Sequence, residues 1–233
     1  MKIGIVNAGN IGQNLALSWI RHGHDILLSK DTSPEQLQER IRELGSSRGL
    51  AETELAKFKY GSLVEAAEFG DVIIFSIYFP RLGHVLKEFQ RFGLTLSGKI
   101  IIDTMNPLNV DENFNHYHDM EYMHRTSITE EIQKVFPEAI VFKAFNTIPS
   151  TLLDVSKWTS GRVPPVLFVG GSSKSVDTAR KLITDAGFLP KYAGCNLGDS
   201  GLLERLGVLS HRLAENEFQG DANIAFDVFQ SKA

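Results

Sequence analysis

The chain has 233 residues, of which 42% are hydrophobic and 22% are charged, and its formal net charge is −4. This composition is that of an ordinary globular protein, and the length suffices for one large core or one core with an appendage. No basic stripe is present to neutralise nucleic-acid phosphates, and no apolar run approaches the roughly 20 residues that span a bilayer. Cys195 has no second cysteine to pair with, and we expect no secretion signal. We therefore expect a cytoplasmic protein that binds neither nucleic acid nor a membrane.

Strand and helix patterns alternate along the first 150 residues. KIGIVN (2–7) is apolar enough for a buried strand, and a helical pattern follows it. After a second strand over 25–29, Ser33, Pro34 and Gln36 predict a helix start with a capping box. Strands that are apolar on both faces and alternate with helices predict an α/β fold with a doubly wound parallel sheet. Further strands are predicted at 57–61, 71–78, 99–106 and 140–146.

The pattern changes after Pro149. A polar connection over 154–165 leads to a strand, a helix, another strand and a long final helix. These elements could form a second small domain or extend the first sheet. We favour the extension because about 80 residues make only a marginal core of their own. The predicted organisation is a nucleotide-binding domain over 1–150 and a strand-helix extension over 151–233.

The segment IVNAGNIGQNLA (5–16) resembles a dinucleotide-binding loop whose first glycine is replaced by Asn7. That glycine serves a tight turn, the second lets the backbone approach the diphosphate, and the third allows close helix–strand packing. Asparagine readily takes the positive φ of such a turn, so Asn7 can replace the first glycine while Gly9 and Gly12 keep their roles.

The backbone amides of Gly9, Asn10 and Ile11 are then expected to point at phosphates from the helix N-terminus. The loop follows a predicted strand and opens a predicted helix, which is the context that the motif requires. The alternative is an ordinary strand–helix turn that binds nothing.

The end of the second strand indicates which dinucleotide is bound. NAD sites usually place Asp or Glu there to bind the ribose 2′-hydroxyl, whereas Ser29 and Lys30 suit a 2′-phosphate. If the strand ran two residues further, Asp31 would become the ribose ligand and favour NAD. Lys30 could also be an ordinary surface charge. We favour NADP.

Ligands of open parallel sheets bind at the carboxyl ends of the strands, near the point where the strand order reverses. Small, polar and turn-forming residues follow the predicted strands at that edge, so this edge is the candidate binding site. They are Asn7, Ala8, Gly9 and Asn10 after the first strand, Ser29 and Lys30 after the second, Ser76, Tyr78 and Pro80 after the fourth, Thr104, Asn106 and Pro107 after the fifth, and Asn146, Thr147 and Pro149 after the sixth.

Six segments, in order along nearly the whole chain, resemble the deazaflavin (coenzyme F420)-dependent NADP oxidoreductase family. The cytosolic domain of the six-transmembrane metalloreductases is a more distant relative. The resemblance implies a Rossmann-type fold, often dimeric, that passes a hydride between NADPH and a deazaflavin. The segments are GIVNAGNIGQNLA, LLSKD, DTMNPL, VFKAFNTIP, FVGGSSKSVDTARKLITDAGF and LERLGVLSHRLA.

The resemblance also implies roles for individual residues. Ala8 to Ile11 would hold the diphosphate, and Ser29 and Lys30 the 2′-phosphate. Phe145 to Pro149 would border the second substrate. The sequence departs from the family at Lys30, where an Arg is common, and at Tyr78–Pro80, where a Pro-Trp pair is common. The residues expected to line the ribose and nicotinamide are Ser76, Ile77, Asn106 and Ala144, with Tyr78, Pro107 and Asn146 beside them.

Hydride transfer between two cofactors needs proximity more than acid–base chemistry, so we predict no indispensable catalytic side chain. The expected acceptor is a small redox molecule, either a deazaflavin, a flavin or a metal chelate. A carbonyl or imine reductase would instead need a proton donor, for which Tyr78, His84 and Lys143 are candidates. A non-catalytic NADP-binding sensor is the other alternative.

The stretch NHYHDMEYMH (115–124) could be considered as a metal site because it contains three histidines and two carboxylates. It carries no recognised ligand signature, so we expect a solvated loop and predict no metal. The alternative is that the aromatic side chains of the loop close over a substrate or contact a second subunit. His211 is expected to be a surface or packing residue, and Cys195 an inert one.

Overall fold

A computed structural model describes residues 1–113, 115–158 and 162–231. Eight of its strands form one sheet, and the remaining two form a small hairpin. The strands are β1 (Lys2–Val6), β2 (Asp25–Ser29), β3 (Lys59–Gly61), β4 (Val72–Phe75), β5 (Ile100–Asp103), β6 (Leu108–Val110), β7 (His116–His118), β8 (Ile140–Lys143), β9 (Pro165–Gly170) and β10 (Leu189–Tyr192).

Helices flank the sheet on both faces, as the alternating pattern predicts. Within the described residues, no helix is both long enough and apolar enough to cross a membrane. The helices are α1 (Asn10–Arg21), α2 (Pro34–Ser47), α3 (Glu52–Leu55), α4 (Leu63–Phe69), α5 (Leu82–Arg91), α6 (Met120–Arg125), α7 (Ile128–Val135), α8 (Val176–Asp185) and α9 (Ser200–Glu217).

The large sheet has the order β10-β9-β8-β5-β4-β1-β2-β3. The chain moves outward from β1 to β3 and then returns to the other side of β1 with β4, so the strand order reverses between β1 and β4. In an open α/β sheet this reversal leaves a crevice at the carboxyl ends of the strands, where ligands bind. The expected fold class, a Rossmann-type doubly wound sheet with a strand-helix extension, is confirmed.

Alternation along the strands divides the core between the two faces of the sheet. Ile5 of β1 faces α1 and α8, whereas the next residue, Val6, faces the helices α4, α5 and α7. The helix α1 is joined to α8 by the buried indole of Trp19, which donates to the Leu182 carbonyl at 2.8 Å. The amino-terminal helix and the carboxyl-terminal segment therefore share one core.

The start of α2 differs in one detail from the expected capping box. The hydroxyl of Ser33 accepts from the Gln36 amide at 3.2 Å, as an N-cap does. The side-chain oxygen of Gln36, however, accepts from the Thr32 hydroxyl. Because that oxygen is engaged by Thr32, the reciprocal half of the box is absent at this helix.

The two carboxyl-terminal strands join the same sheet. β9 pairs antiparallel with β8, and β10 pairs parallel with β9, so the sheet is mixed at this edge. An antiparallel edge strand on a parallel sheet is common in doubly wound folds. Residues 159–161 of the expected polar connection lie outside the described residues.

The histidine-rich stretch 115–124 is structured, and its expected loop conformation is wrong. β7 pairs antiparallel with β6, and the side chain of Asp119 caps α6 by accepting from the Tyr122 amide at 2.9 Å. The strands of this hairpin are three residues long, which is too short for a clear alternation of apolar and polar residues. The sequence pattern therefore gave no signal for it.

A buried ion cluster ties α9 to the sheet. The Lys143 ammonium donates to the carboxylates of Asp103 and Glu204, each at 2.8 Å, and all three side chains are fully buried. Thr129 and the Ile128 amide donate to the two carboxylates. Burial alone lowers the pKa of Lys143, but the two carboxylates outweigh it and hold that pKa above its ordinary value. Lys143 is therefore a structural cation, and it does not line the cleft described below.

Replacing Lys143 with Met is expected to reduce the free energy of unfolding by about 3–5 kcal/mol at neutral pH, because two carboxylates stay buried without their cation. The loss should shrink as the pH falls, since burial raises the pKa of Glu204 and protonation removes its charge. Urea denaturation of both proteins at several pH values measures this effect.

Lys134→Met is the matched control, because Lys134 pairs with Glu131 on the surface and is 66% exposed. The control should leave the denaturation midpoint unchanged. A Lys143→Met variant as stable as the parent would contradict the assigned role of the cluster.

Candidate functional site

The turn between β1 and α1 has the conformation that the sequence predicts. Asn7 has a φ of 56°, in the left-handed region that asparagine tolerates better than other side chains. The buried Ser29 hydroxyl accepts from the Asn7 amide at 3.3 Å and donates to the Ile5 carbonyl at 2.8 Å. The Ala8 amide donates to the Ser29 carbonyl at 2.6 Å. The end of β2 thus holds the turn in place.

Three consecutive amides at the start of α1 remain available. The amides of Gly9, Asn10 and Ile11 have no hydrogen-bond partner among the residues that the structure describes, and all three residues line one large cleft. The next amide, that of Gly12, donates to the Ser76 hydroxyl at 3.0 Å. Unpaired amides at a helix N-terminus form a binding site for an anion.

The two glycines of the turn differ in what surrounds them. A Cβ atom on Gly12 would lie 2.8 Å from Ile5 Cγ2 and 3.0 Å from Ser76 Cβ, so packing inside the protein requires this glycine. A Cβ atom on Gly9 would meet nothing closer than the Ser76 carbonyl oxygen at 3.5 Å, an ordinary contact. Nothing in the protein therefore demands a glycine at position 9, which leaves room for close approach of a ligand.

Two cations lie near the end of β2, Lys30 directly after the strand and Arg40 on α2, and the sequence predicts only Lys30. Arg40 of α2 donates to the side-chain oxygens of Asn10, at 3.1 Å, and Gln13, at 3.0 Å. Burial lowers the pKa of Lys30 below its ordinary value, and the nearby charge of Arg40 lowers it further. No local motif marks Arg40, because its position beside Lys30 results from packing between helices.

Asp31 is engaged elsewhere. Its carboxylate pairs with the Arg81 guanidinium at 2.6 Å, and β2 ends at Ser29, two residues earlier. The condition under which the sequence would favour NAD, a longer second strand, is therefore not met.

The cleft at the carboxyl ends of β1, β4, β5 and β8 has a volume of about 780 Å³. Residues from the first turn of α1, from the loops after these strands, from α9 and from the segment after α9 form its walls. Of the predicted site residues, those that line it are Gly9, Asn10, Ile11, Ser76, Ile77, Tyr78, Thr104, Asn106, Asn146, Thr147, Ile148 and Pro149.

The remaining predicted site residues do not line this cleft. Asn7, Ala8, Gly12 and Ser29 form the structure of the turn, and Ala144 is fully buried in the core. Lys30 lies at the end of β2, outside the cleft. Pro107 accepts a hydrogen bond from the Asp119 amide through its carbonyl group.

Asn146 is directed into the cleft by a strained residue that the sequence does not reveal. Phe145 is fully buried and has a φ of 65°, which is rare for a bulky side chain. The Asn146 amide group donates to the Asn106 side-chain oxygen at 2.9 Å and to the Leu203 carbonyl at 2.8 Å. Its own oxygen, Oδ1, is buried without a partner among the described residues, so it can accept one more hydrogen bond.

Two histidines also line the cleft, His116 from β7 and His211 from α9. The sequence did not place either of them at the site, because residues almost 100 positions apart meet only through tertiary packing. No group of three His, Cys, Asp or Glu side chains in the described parts of the chain is arranged to hold a metal ion.

The sheet order, the strand-to-helix turn and the cleft at the switch point define a Rossmann-type α/β protein with a turn of the dinucleotide-binding kind. The family described as "NADP oxidoreductase coenzyme F420-dependent" matches residues 2–107. The match covers 106 of the 233 residues and confirms the resemblance found in the sequence.

Two relatives cover most of the chain. A protein of Arthrobacter sp. FB24 assigned as an F420-dependent NADP reductase has a crystal structure that matches with a TM-score of 0.75 and 22% identity, over 99% of this chain and 100% of that one. The metalloreductase STEAP3 of Rattus norvegicus is 24% identical over 193 residues, which are 83% of this chain and 34% of that protein. The chain therefore spans about a third of this curated relative.

A reductive aminase from Aspergillus terreus, solved with NADPH and ethyl-5-oxohexanoate, matches with a TM-score of 0.61 and 15% identity. The match covers 94% of this chain and 62% of the aminase. At this level of identity the structural likeness concerns the fold.

Replacing each of the two glycines with alanine should show which of them the packing of the protein requires. Gly12→Ala is expected to cost about 1–3 kcal/mol of stability, because the new methyl group overlaps Ile5 and Ser76. Gly9→Ala should leave the melting temperature unchanged or slightly higher. Thermal denaturation followed by circular dichroism compares the two variants with the parent. Equal melting temperatures for Gly9→Ala and Gly12→Ala would refute the assigned packing of Gly12.

Proposed function

We propose that the protein binds NADPH across the cleft and transfers its hydride to a small redox acceptor. The observation that carries this proposal is the row of three unpaired amides at Gly9, Asn10 and Ile11, which suits the diphosphate. In this proposal residues 1–150 form the NADP-binding domain, and residues 151–233 form an extension that walls the cleft.

The adenosine end of the nucleotide lies at the end of β2. Lys30 and Arg40 supply two positive charges for the 2′-phosphate, and Asp31 is neutralised by Arg81. Ser29 and Asn7 act by holding the turn, and Ala8 and Gly12 pack beneath the diphosphate.

The nicotinamide end lies deeper in the cleft. Ser76 and Ile77 line the ribose side, and Tyr78 packs at the entrance, where it is 42% exposed. The unpartnered oxygen of Asn146 is a suitable acceptor for the carboxamide of nicotinamide. Asn106 fixes Asn146, while Pro107 and Ala144 shape the strand ends that carry these residues.

NADPH supplies a hydride at its nicotinamide ring, and the protein supplies position. Two side-by-side reactants held in a near-attack geometry gain rate without a catalytic acid or base. The fixed turn, the buried Phe145 and the engaged Asn106–Asn146 pair favour such a rigid site. A deazaflavin is the acceptor that the family name suggests, and flavins and metal chelates are the other candidates.

We also propose that the protein is a cytoplasmic homodimer.

A carbonyl or imine reductase is the second candidate function. It is favoured by the two histidines in the cleft, which add groups that can form hydrogen bonds to a polar substrate, and by the likeness in fold to a reductive aminase.

NADPH is expected to bind more tightly than NADH, and Lys30→Ala and Arg40→Ala should each reduce the preference by about tenfold, since each removes a charge beside the 2′-phosphate. Fluorescence titration with both nucleotides measures the preference. Lys57→Ala is the control, because Lys57 is exposed and precedes β3. It therefore lies at the amino-terminal ends of the strands, whereas Lys30 follows β2 at their carboxyl ends. Equal affinities for NADPH and NADH in the parent would contradict the assignment of NADP.

Gly9→Val should abolish NADPH binding, because the side chain occupies the space that the diphosphate needs, while a Cβ atom at position 9 meets no protein atom closer than 3.5 Å. The parent should oxidise NADPH in an absorbance screen of deazaflavins, flavins, ferric chelates and quinones, and Gly9→Val should not. A parent that binds NADPH but oxidises it with none of these acceptors would favour the sensor. Unchanged affinity in Gly9→Val would move the nucleotide site elsewhere.

A further inference from the structure

His211, which lines the cleft, is paired with a second histidine, His118, and the hydride transfer described above uses neither ring. His118 Nε2 lies 2.8 Å from His211 Nδ1, and the ring centroids are 4.7 Å apart. His118 Nδ1 is buried and has no hydrogen-bond partner among the described residues. His211 lines the cleft together with Ser76, Ile77 and Asn146.

The pairing determines where the protons lie. If His118 carried its proton on Nδ1, a buried N–H donor would be left unsatisfied, which is rarer in proteins than an unsatisfied acceptor. His118 therefore carries its proton on Nε2 and donates it to His211 Nδ1. His211 must then carry its own proton on Nε2, the one nitrogen that the pair leaves free.

The surroundings keep both rings neutral. Burial lowers the pKa of His118 to about 4, helped by His211 and Arg212. Burial also lowers the pKa of His211, and His116 adds to this, while Glu215 opposes it. Among the residues that line the cleft, Asp221 from the segment after α9 also carries a charge. Near neutral pH His211 is thus an uncharged hydrogen-bond donor.

We infer that His211 donates a hydrogen bond from Nε2 to the hydride acceptor, and that this acceptor has its reacting carbon conjugated to a carbonyl oxygen or a ring nitrogen. This inference rests on the proposed function and names the chemical class of its second substrate. His118 is a positioning residue, because it sets the tautomer and the orientation of His211.

The reaction balances without a proton from either histidine. The hydride leaves C4 of the nicotinamide and forms a C–H bond on the acceptor, so NADPH is oxidised and the acceptor is reduced. The electron pair displaced by the hydride moves to the conjugated oxygen or nitrogen, where the His211 N–H stabilises the new negative charge. Water entering through the open cleft then supplies the proton that completes the reduction.

The experiment uses the full chain with NADPH and two acceptors, a 5-deazaflavin and the quinone menadione. His211→Ala should lower kcat by on the order of 100-fold with both acceptors, as loss of one such donor does, and leave the Kd for NADPH unchanged. His211→Gln, which keeps an N–H donor, should recover part of the loss. His84→Ala is the control, because His84 is 70% exposed on α5.

His118→Ala should lower kcat less than His211→Ala and make it depend on pH, because His211 can then take either tautomer and can be protonated. The kcat of the parent should stay constant from about pH 7 to 8, since a neutral donor needs no proton uptake.

Three results would overturn the inference. They are an unchanged kcat in His211→Ala, a parent rate that falls as the pH rises through this range, and a parent that oxidises NADPH with ferric chelates but with neither conjugated acceptor. The last result would leave the proposed function standing. A parent that fails to bind NADPH would instead refute both the proposed function and the inference.

Discussion

The site depends on one backbone constraint, the left-handed turn at Asn7. Because this residue reverses the chain at the end of β1, α1 can start at the carboxyl edge of the sheet and direct its first amides into the crevice. Ser29 holds the turn through its hydroxyl and its carbonyl, and the close packing at Gly12 brings the helix against the sheet. Without this turn, the three free amides would not lie together on one wall of the cleft.

The opposite wall depends on the buried ion cluster. Lys143 at the end of β8 binds both Glu204 of α9 and Asp103 at the end of β5, so α9 lies against the ends of these two strands. At Gly207 a Cβ atom would lie 3.0–3.1 Å from the Asn106 side chain, so the helix approaches the site closely. This placement also brings His211 to His118. The cluster links the stability of the carboxyl-terminal extension to the shape of the proposed substrate end of the cleft.

The sequence predicted the parts of the molecule that local chemistry determines. Strand and helix order, the positive φ at Asn7 and the free amides of the turn follow from periodicity and from one glycine-like motif. It did not predict Arg40, the strained Phe145 or the paired histidines. These features arise where segments distant in sequence pack together, and a short hairpin with three-residue strands gives no periodicity to read. The sequence offers Lys143 as a candidate proton donor, but the structure buries its side chain between the neighbouring strand and α9, away from the cleft.

The crystal structure of the protein with NADP⁺ tests the central claim most directly. We expect the diphosphate to lie against the amides of Gly9, Asn10 and Ile11, the 2′-phosphate between Lys30 and Arg40, and the nicotinamide in the cleft. A nucleotide bound elsewhere, with this turn vacant under saturating NADP⁺, would contradict the account.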